Sequence, residues 1–350
     1  MLTARELSDS GVNVLLLERG KLGAESSWAG GGILSPLYPW RYDDSVNALA
    51  SYSQKTYPRI AEQLLAESDI DPEYNQCGLM VLDQDENDQA SAWAKQWRMP
   101  LDVLESQQLV NQHEPALNSI VKQALWLPDI AQMRNPRLVK ALAGSLAEKK
   151  IKVIEHCEIE QLIEKQGVIQ GIKTADSVYM ADRVIIASGA WTASLINNNI
   201  PQPHIEPVKG QMILFKAPQG LLKTMVLSGG RYLIPRRDGR ILAGSTLEHT
   251  GFEKNLTEDA MQSLKQSAID LIPALVNYPI EHHWAGLRPG TQQGIPYICQ
   301  HPAIKGLYIN SGHYRNGVIL GAASAKLMAD LVIGKPTELD MTPYQFEQSH

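Results

Sequence analysis

The 350-residue chain has few cysteines and no excess of positive charge, and each shortage removes a class of function. Its three cysteines, Cys77, Cys157 and Cys299, are odd in number and widely scattered. That spacing excludes a disulfide framework and a zinc site and fits a reducing compartment. A formal net charge of −6 leaves no basic face for nucleic acid and no polybasic membrane anchor. No stretch reads as the ~20 apolar residues of a membrane span. The N-terminus lacks the basic start, apolar run and small-residue cleavage site of a secretory signal. Repeats and low-complexity tracts are missing too. With 44% hydrophobic and 20% charged residues, the composition is that of an ordinary globular chain long enough for two domains. A cytoplasmic enzyme or binding protein is expected.

The pattern alternates strands and helices. Met1 to Ser10 reads as a helix ended by Gly11, and Val12 to Leu17 (VNVLLL) as a short buried strand of the parallel kind. Ile151 to Ile154, Gly167 to Thr174, Arg183 to Ala187 and Gly306 to Ser311 read as further strands. Pro136 to Lys149 and Gly317 to Ile333 read as helices. Between Gly210 and Leu247, period-2 runs (QMILF, RYLIPR, RILAGSTL) separated by turn residues predict an antiparallel sheet. Two interleaved, discontinuous domains follow from this order.

Four segments carry chemical signals. Glu18 closes the VNVLLL strand, where a dinucleotide fold places the carboxylate that receives the ribose hydroxyls. Taken alone, a Glu after a strand is usually a solvated surface residue. Ser26 to Leu34 (SSWAGGGIL) holds three consecutive glycines, which uncover backbone N–H groups and admit a flat or anionic ligand. A surface linker is the commoner fate of such a run, but Trp28, Ile33 and Leu34 are poor company for one. Val184 to Trp191 (VIIASGAW) is an apolar strand ending in small residues, suited to close approach of a cofactor or to a plain strand–helix connection. The strongest signal is a pair, Trp284 to Tyr297 (WAGLRPGTQQGIPY) and Gly312 to Leu320 (GHYRNGVIL). Arg288 stands alone as a charge in the first, while His313, Tyr314, Arg315 and Asn316 precede the last helix in the second. A helix start stabilises an anion or an electron-rich ring edge, and an arginine fork suits a carboxylate.

Together, SSWAGGGILSPLYPWRY, WAGLRPGTQQGIPY and SGHYRNGVIL make the whole chain resemble the D-amino-acid-oxidase-type family of FAD-dependent flavoproteins. The resemblance is nearest to the branch that oxidises glycine for thiamine biosynthesis. It implies a mixed α/β and α+β fold: a parallel, Rossmann-like FAD-binding sheet with an antiparallel substrate-binding domain. The corresponding boundaries are residues 1–70, 137–205 and 282–350 for the FAD part and 71–136 and 206–281 for the substrate part. Carried over residue by residue, it implies that Glu18 and Arg19 lie at the adenosine end of FAD and that Ile159 touches adenine. Ser26 and Ser27 would meet the phosphate and ribityl region, with Gly31, Gly32 and Ile33 along the flavin ring. His313, Tyr314, Arg315, Asn316, Gly317, Val318 and Ile319 would wrap the ring's pyrimidine side. Arg288 would bind the substrate carboxylate with Tyr232, and Arg315 would be a second substrate contact.

The implied reaction takes a hydride from glycine, or from sarcosine or a small D-amino acid, to FAD. Oxygen then reoxidises the flavin to give hydrogen peroxide. The imine hydrolyses to glyoxylate and ammonia or passes to a thiazole synthase. No side chain is assigned as a general base, because positioning and the flavin's own chemistry account for the step. One departure stands out. The family opens with a strand and a glycine-rich turn, on the order of 15–18 residues that are missing ahead of the first helix here. A start codon placed too far downstream explains this, and so does a true truncation. The second case keeps open a non-catalytic remnant that only binds a partner.

Overall fold

A computed structural model describes residues 1–83, 85–196 and 200–345. Its helices are α1 (Leu2–Asp9), α2 (Ser26–Ala29), α3 (Asp44–Ser68), α4 (Asn87–Trp97), α5 (Gln107–His113), α6 (Asn135–Glu148), α7 (Glu258–Leu271) and α8 (Gly317–Ile333). The first nine strands are β1 (Leu15–Leu17), β2 (Leu79–Val81), β3 (Asp102–Leu104), β4 (Ala124–Leu127), β5 (Lys152–Ile154), β6 (Ile159–Lys165), β7 (Val168–Thr174), β8 (Val178–Met180) and β9 (Val184–Ile186). The rest are β10 (Glu206–Phe215), β11 (Met225–Ser228), β12 (Arg231–Pro235), β13 (Ile241–Gly244), β14 (Ile280–Gly290), β15 (Tyr297–Gln300) and β16 (Leu307–Ser311).

The expected mixture of parallel and antiparallel sheets is present. Parallel pairing joins β1 to β5 and β16 to β9, with β15 antiparallel beyond β16. The three strands β6, β7 and β8 form an antiparallel sheet. The largest sheet has eight strands in the order β14-β10-β13-β12-β11-β2-β4-β3, antiparallel except between β11 and β2.

Two expectations need correction. The strand expected from Val12 to Leu17 begins only at Leu15, because the Val12 N–H donates to the Leu7 carbonyl at 3.0 Å and closes the end of α1. Gly11, at φ 81, makes that turn possible. The strand is also less buried than its composition suggests, with Leu15 exposed. In addition, the segment Tyr314–Ile333 is long and apolar enough to cross a membrane by length and composition. In this fold 67% of its most apolar 18-residue stretch is buried. α8 is apolar all round because it is a core helix, packed on α3 and α1. Tyr57 of α3 donates its hydroxyl to the Val318 carbonyl in the first turn of α8.

A buried ion cluster ties α1 to α3 and α6. Arg5, 4% exposed, donates to Glu67 at 2.7 Å, and Lys149 lies 3.3 Å from the same carboxylate. Ser145 also donates to Glu67. Burial opposes the Glu67 charge, but the Ser145 hydroxyl, Arg5 and Lys149 outweigh it and hold its pKa below the usual carboxylate value. Neutralising Glu67 by Glu67→Gln leaves Arg5 buried and uncompensated and should cost about 3 kcal/mol of unfolding free energy. Because the folded pKa is depressed, this contribution is fully present above pH ~4.5 and is lost as pH falls through the folded value. Urea unfolding across that window measures both effects, and a loss below ~1 kcal/mol in Glu67→Gln would show that the cluster does not hold the helices.

Candidate active site

The large sheet builds one functional face by register. Arg288 of β14 lies opposite Val208, Gly286 opposite Gly210, and Trp284 opposite Met212 of β10. Met212 lies opposite Gly244 of β13, which in turn lies opposite Tyr232 of β12. Since alternate residues share a face, Trp284, Gly286, Arg288, Gly210, Met212, Gly244 and Tyr232 point the same way. The glycines make room for their large neighbours. A Cβ at Gly210 would stand 2.1 Å from Arg288 Nη2, and one at Gly244 would stand 2.8 Å from the Tyr232 ring. A Cβ at Gly286 would come within 2.7 Å of the Ala29 Cβ in α2. No other residue type lets a guanidinium and a phenol ring lie flat on this strand surface.

Arg288 lies half-buried against this face and bonds only to neutral oxygens. Its Nη2 donates to Ser245 Oγ at 2.7 Å and its Nη1 to the Thr246 carbonyl at 3.3 Å. Among the described residues no carboxylate pairs with it. Burial pushes its pKa below the usual arginine range; Tyr232 partly offsets this, while the nearby Arg315 cation reinforces it. Arg315 arrives from the turn Tyr314–Asn316 just ahead of α8, and its Nη2 donates to the Gly230 carbonyl at 3.2 Å. Tyr232, Arg288, Tyr314 and Arg315 are thus brought together from three distant parts of the chain.

The triple-glycine loop covers the same face. A Cβ at Gly31 would lie 3.1 Å from the Tyr232 ring. Gly32, at φ 84, could carry no side chain, since a Cβ there would fall 1.9 Å from the Met133 carbonyl. The loop is no linker, because three side chains and a backbone bond pin it. Arg236 donates to the Gly31 carbonyl at 2.8 Å, and to Met133 O and Gln132 Oε1. Asn135 donates to the Ser27 carbonyl at 2.8 Å, and Trp284 Nε1 to the Ala29 carbonyl at 3.0 Å. The Met133 N–H bonds to the Gly32 carbonyl at 2.9 Å. Ile33 bridges to Gln132. Burial, with the neighbouring Arg134 cation, lowers the pKa of Arg236 to about 10. Arg236, Gln132 and Asn135 are the supports that sequence reasoning passed over. The available signal was Arg236 itself, a charge closing the apolar run YLIP.

The remaining predicted residues lie elsewhere. Glu18 follows β1 and its Oε1 accepts the Gly20 N–H at 2.8 Å. Arg19 stacks over the Trp191 ring, 4.4 Å from its centroid, which joins the VLLLER and VIIASGAW segments. Ile159 opens β6 two residues beyond Cys157, whose N–H donates to the Glu18 carbonyl at 2.9 Å. Ser26 and Ser27 begin α2. His313 is held by Ser324 Oγ at 2.9 Å, and burial lowers its pKa to about 4, so it is neutral at neutral pH. Asn316 is buried at the start of α8, and its side-chain nitrogen has no hydrogen-bond partner among the described residues. Gly317, Val318 and the buried Ile319 form the first turn of that helix.

The profile of the family described as FAD dependent oxidoreductase matches residues 1–331. The chain is similar to a glycine oxidase of Pseudomonas putida, 46% identical over 345 residues that cover 98% of this chain and 94% of that protein. It is also similar to the bifunctional protein ThiO/ThiG of Trichormus variabilis, 29% identical over 99% of this chain and 53% of that one. The crystal structure of glycine oxidase from Geobacillus kaustophilus matches with a TM-score of 0.93 at 29% identity, covering 100% of this chain and 95% of that one.

The glycine at position 210 offers a direct test of the face. Gly210→Ala should drive the guanidinium off the strand, break the bond to Ser245 and destabilise the protein by about 1–3 kcal/mol. A crystal structure of the variant with Arg288 unmoved would contradict this account.

Proposed function

We propose, from the premise that this chain belongs to the FAD-dependent oxidoreductase family matched across residues 1–331, that it oxidises glycine. FAD is the cofactor of the family, and the structure offers groups that fit it. The buried side-chain nitrogen of Asn316 and the buried Thr291 hydroxyl each lack a protein partner among the described residues. The glycine loop carries no side chains at positions 30 to 32, so a flat ring would reach its backbone closely. On this reading Glu18, Arg19 and Ile159 hold the adenosine end, and Ser26 and Ser27 the middle. Gly31 to Ile33 and His313 to Ile319 then surround the flavin. Residues 1–70, 137–205 and 282–350 form the FAD-binding part, and residues 71–136 and 206–281 the substrate-binding part, which β14 joins with Arg288.

The single observation that carries the substrate assignment is Arg288. A desolvated guanidinium with only neutral acceptors, beside a second guanidinium, is an incomplete electrostatic site. A substrate carboxylate completes it, with a charge-assisted pair contributing ~1.5–3 kcal/mol. Tyr232 and Arg315 fix the carboxylate's second oxygen and so aim the α-carbon. When bound, FAD supplies the acceptor for the hydride leaving that carbon and returns the electrons to oxygen as hydrogen peroxide. The product imine hydrolyses to glyoxylate and ammonia or goes to a thiazole synthase, a link supported by the fused relative named ThiO/ThiG. The reaction belongs in the cytoplasm. Relative kcat/KM for glycine, sarcosine and D-alanine tests the substrate choice, and a clear preference for either of the others would overturn it.

The arginines should separate in their effects. Arg288→Ala should raise the glycine KM about tenfold to a hundredfold with a nearly unchanged flavin spectrum. Arg315→Lys keeps the charge but loses the planar fork, so it should retain flavin and still bind glycine less well. Flavin loss in Arg288→Ala with no substrate defect would make that residue structural.

A further inference from the structure

Arg315 and Arg288 carry like charges close enough to repel, so Arg315 needs something to hold it there. Its only protein acceptor among the described residues is the Gly230 carbonyl, at the apex of the hairpin between β11 and β12. That apex is Gly229-Gly230, with both residues at positive φ (55 and 75). This is the two-residue turn in which glycine is favoured, and it brings no side chain of its own to anchor it. Other residues anchor it instead. The Gly229 N–H donates to Asp83 Oδ1 at 3.0 Å, and the Gly230 N–H donates to the Tyr38 hydroxyl at 2.9 Å. The Tyr38 hydroxyl in turn donates to Asp83 Oδ2 at 2.6 Å. Tyr38 is 4% exposed, and Arg41 lies over its ring at 3.9 Å.

The N–H groups of the apex are therefore taken from one side by a carboxylate and a phenol in series, while its carbonyl faces Arg315 on the other. With both N–H groups of the two-residue turn held, the turn cannot rotate and its Gly230 carbonyl keeps one direction. We propose that Asp83 and Tyr38 are positioning residues for Arg315. They lock the hairpin apex so that the Gly230 carbonyl keeps the second guanidinium beside Arg288 until a substrate carboxylate is shared between them. This rests on the reading of Arg315 as a substrate contact.

The test uses the flavin-loaded enzyme with Asp83→Asn, Tyr38→Phe and Arg315→Met, singly and combined. Glycine KM and kcat would be measured alongside calorimetric binding of acetate, a carboxylate without an amine. Asp83→Asn and Tyr38→Phe should each raise KM and the acetate Kd about fivefold, or ~1 kcal/mol, with kcat within about twofold of the parent. Each increase should vanish when Arg315 is already methionine. Unchanged KM and Kd in Tyr38→Phe, the smaller change, would overturn the proposal, as would full-sized increases that persist in the Arg315→Met background. Wild-type KM and acetate affinity in Arg315→Met itself would instead overturn the substrate role of Arg315, and the clamp with it.

Discussion

A guanidinium taken out of water and given only neutral oxygens is a costly object in a folded protein, and the arrangement around Arg288 follows from it. Its bonds to Ser245 and Thr246 reduce the penalty without cancelling the charge. The flat bed at Gly210 lets it lie against β10, where any side chain would collide with it. The eight-stranded sheet exists in part to present that bed, because register alone brings residues 210, 232, 244 and 288 to one face. The positive charge is left for something that enters from outside.

Closing such a face needs a roof that approaches closely and does not move. The glycine loop approaches because it has no side chains at positions 30 to 32. It stays still because Arg236, Asn135 and Trp284 take its carbonyls. Each anchor comes from a different element, so the loop is fixed by tertiary contacts and not by any preference of its own sequence. Rigidity of this kind keeps reacting groups aligned within the narrow range that rate acceleration demands.

The origin of these contacts decides what could be read in advance. The α8 helix was legible from about Gly317 to Ile333, since its apolar run is a local signal. Strands in the middle of the chain were legible from alternation, and Arg288 and Arg315 from their isolation among glycines and aromatics. The start of β1 was misjudged because helix capping claimed the Val12 N–H, an effect of backbone geometry that composition does not reveal. The apolar final helix was underestimated as a membrane-length segment, since its burial depends on α1 and α3 lying against it. The loop anchors and the Tyr38–Asp83 pair were invisible for a similar reason. A tyrosine and an aspartate separated by 45 positions carry no joint signal until the fold brings them together.

Lack of a carboxylate does not by itself set Arg288 apart, since Arg231, half-buried as well, bonds only to Ser263 and Ser267. Arg5, Arg41, Arg134, Arg137, Arg237 and Arg240 each reach a carboxylate. Arg236 is buried and, like the half-buried Arg288, has no carboxylate, yet its three bonds end on two main-chain carbonyls and the Gln132 amide, all structural partners. Arg288 makes two bonds and faces Arg315 and Tyr232 across the same surface. A guanidinium offers five N–H donors, and those that Arg236 uses end on the loop and its supports. Burial without a carboxylate is therefore not enough to mark a binding arginine. What separates the two is where they end: each has a cation neighbour, but Arg236 is bonded to the loop it supports, whereas Arg288 shares its face with Tyr232 and Arg315, where an anion can be received.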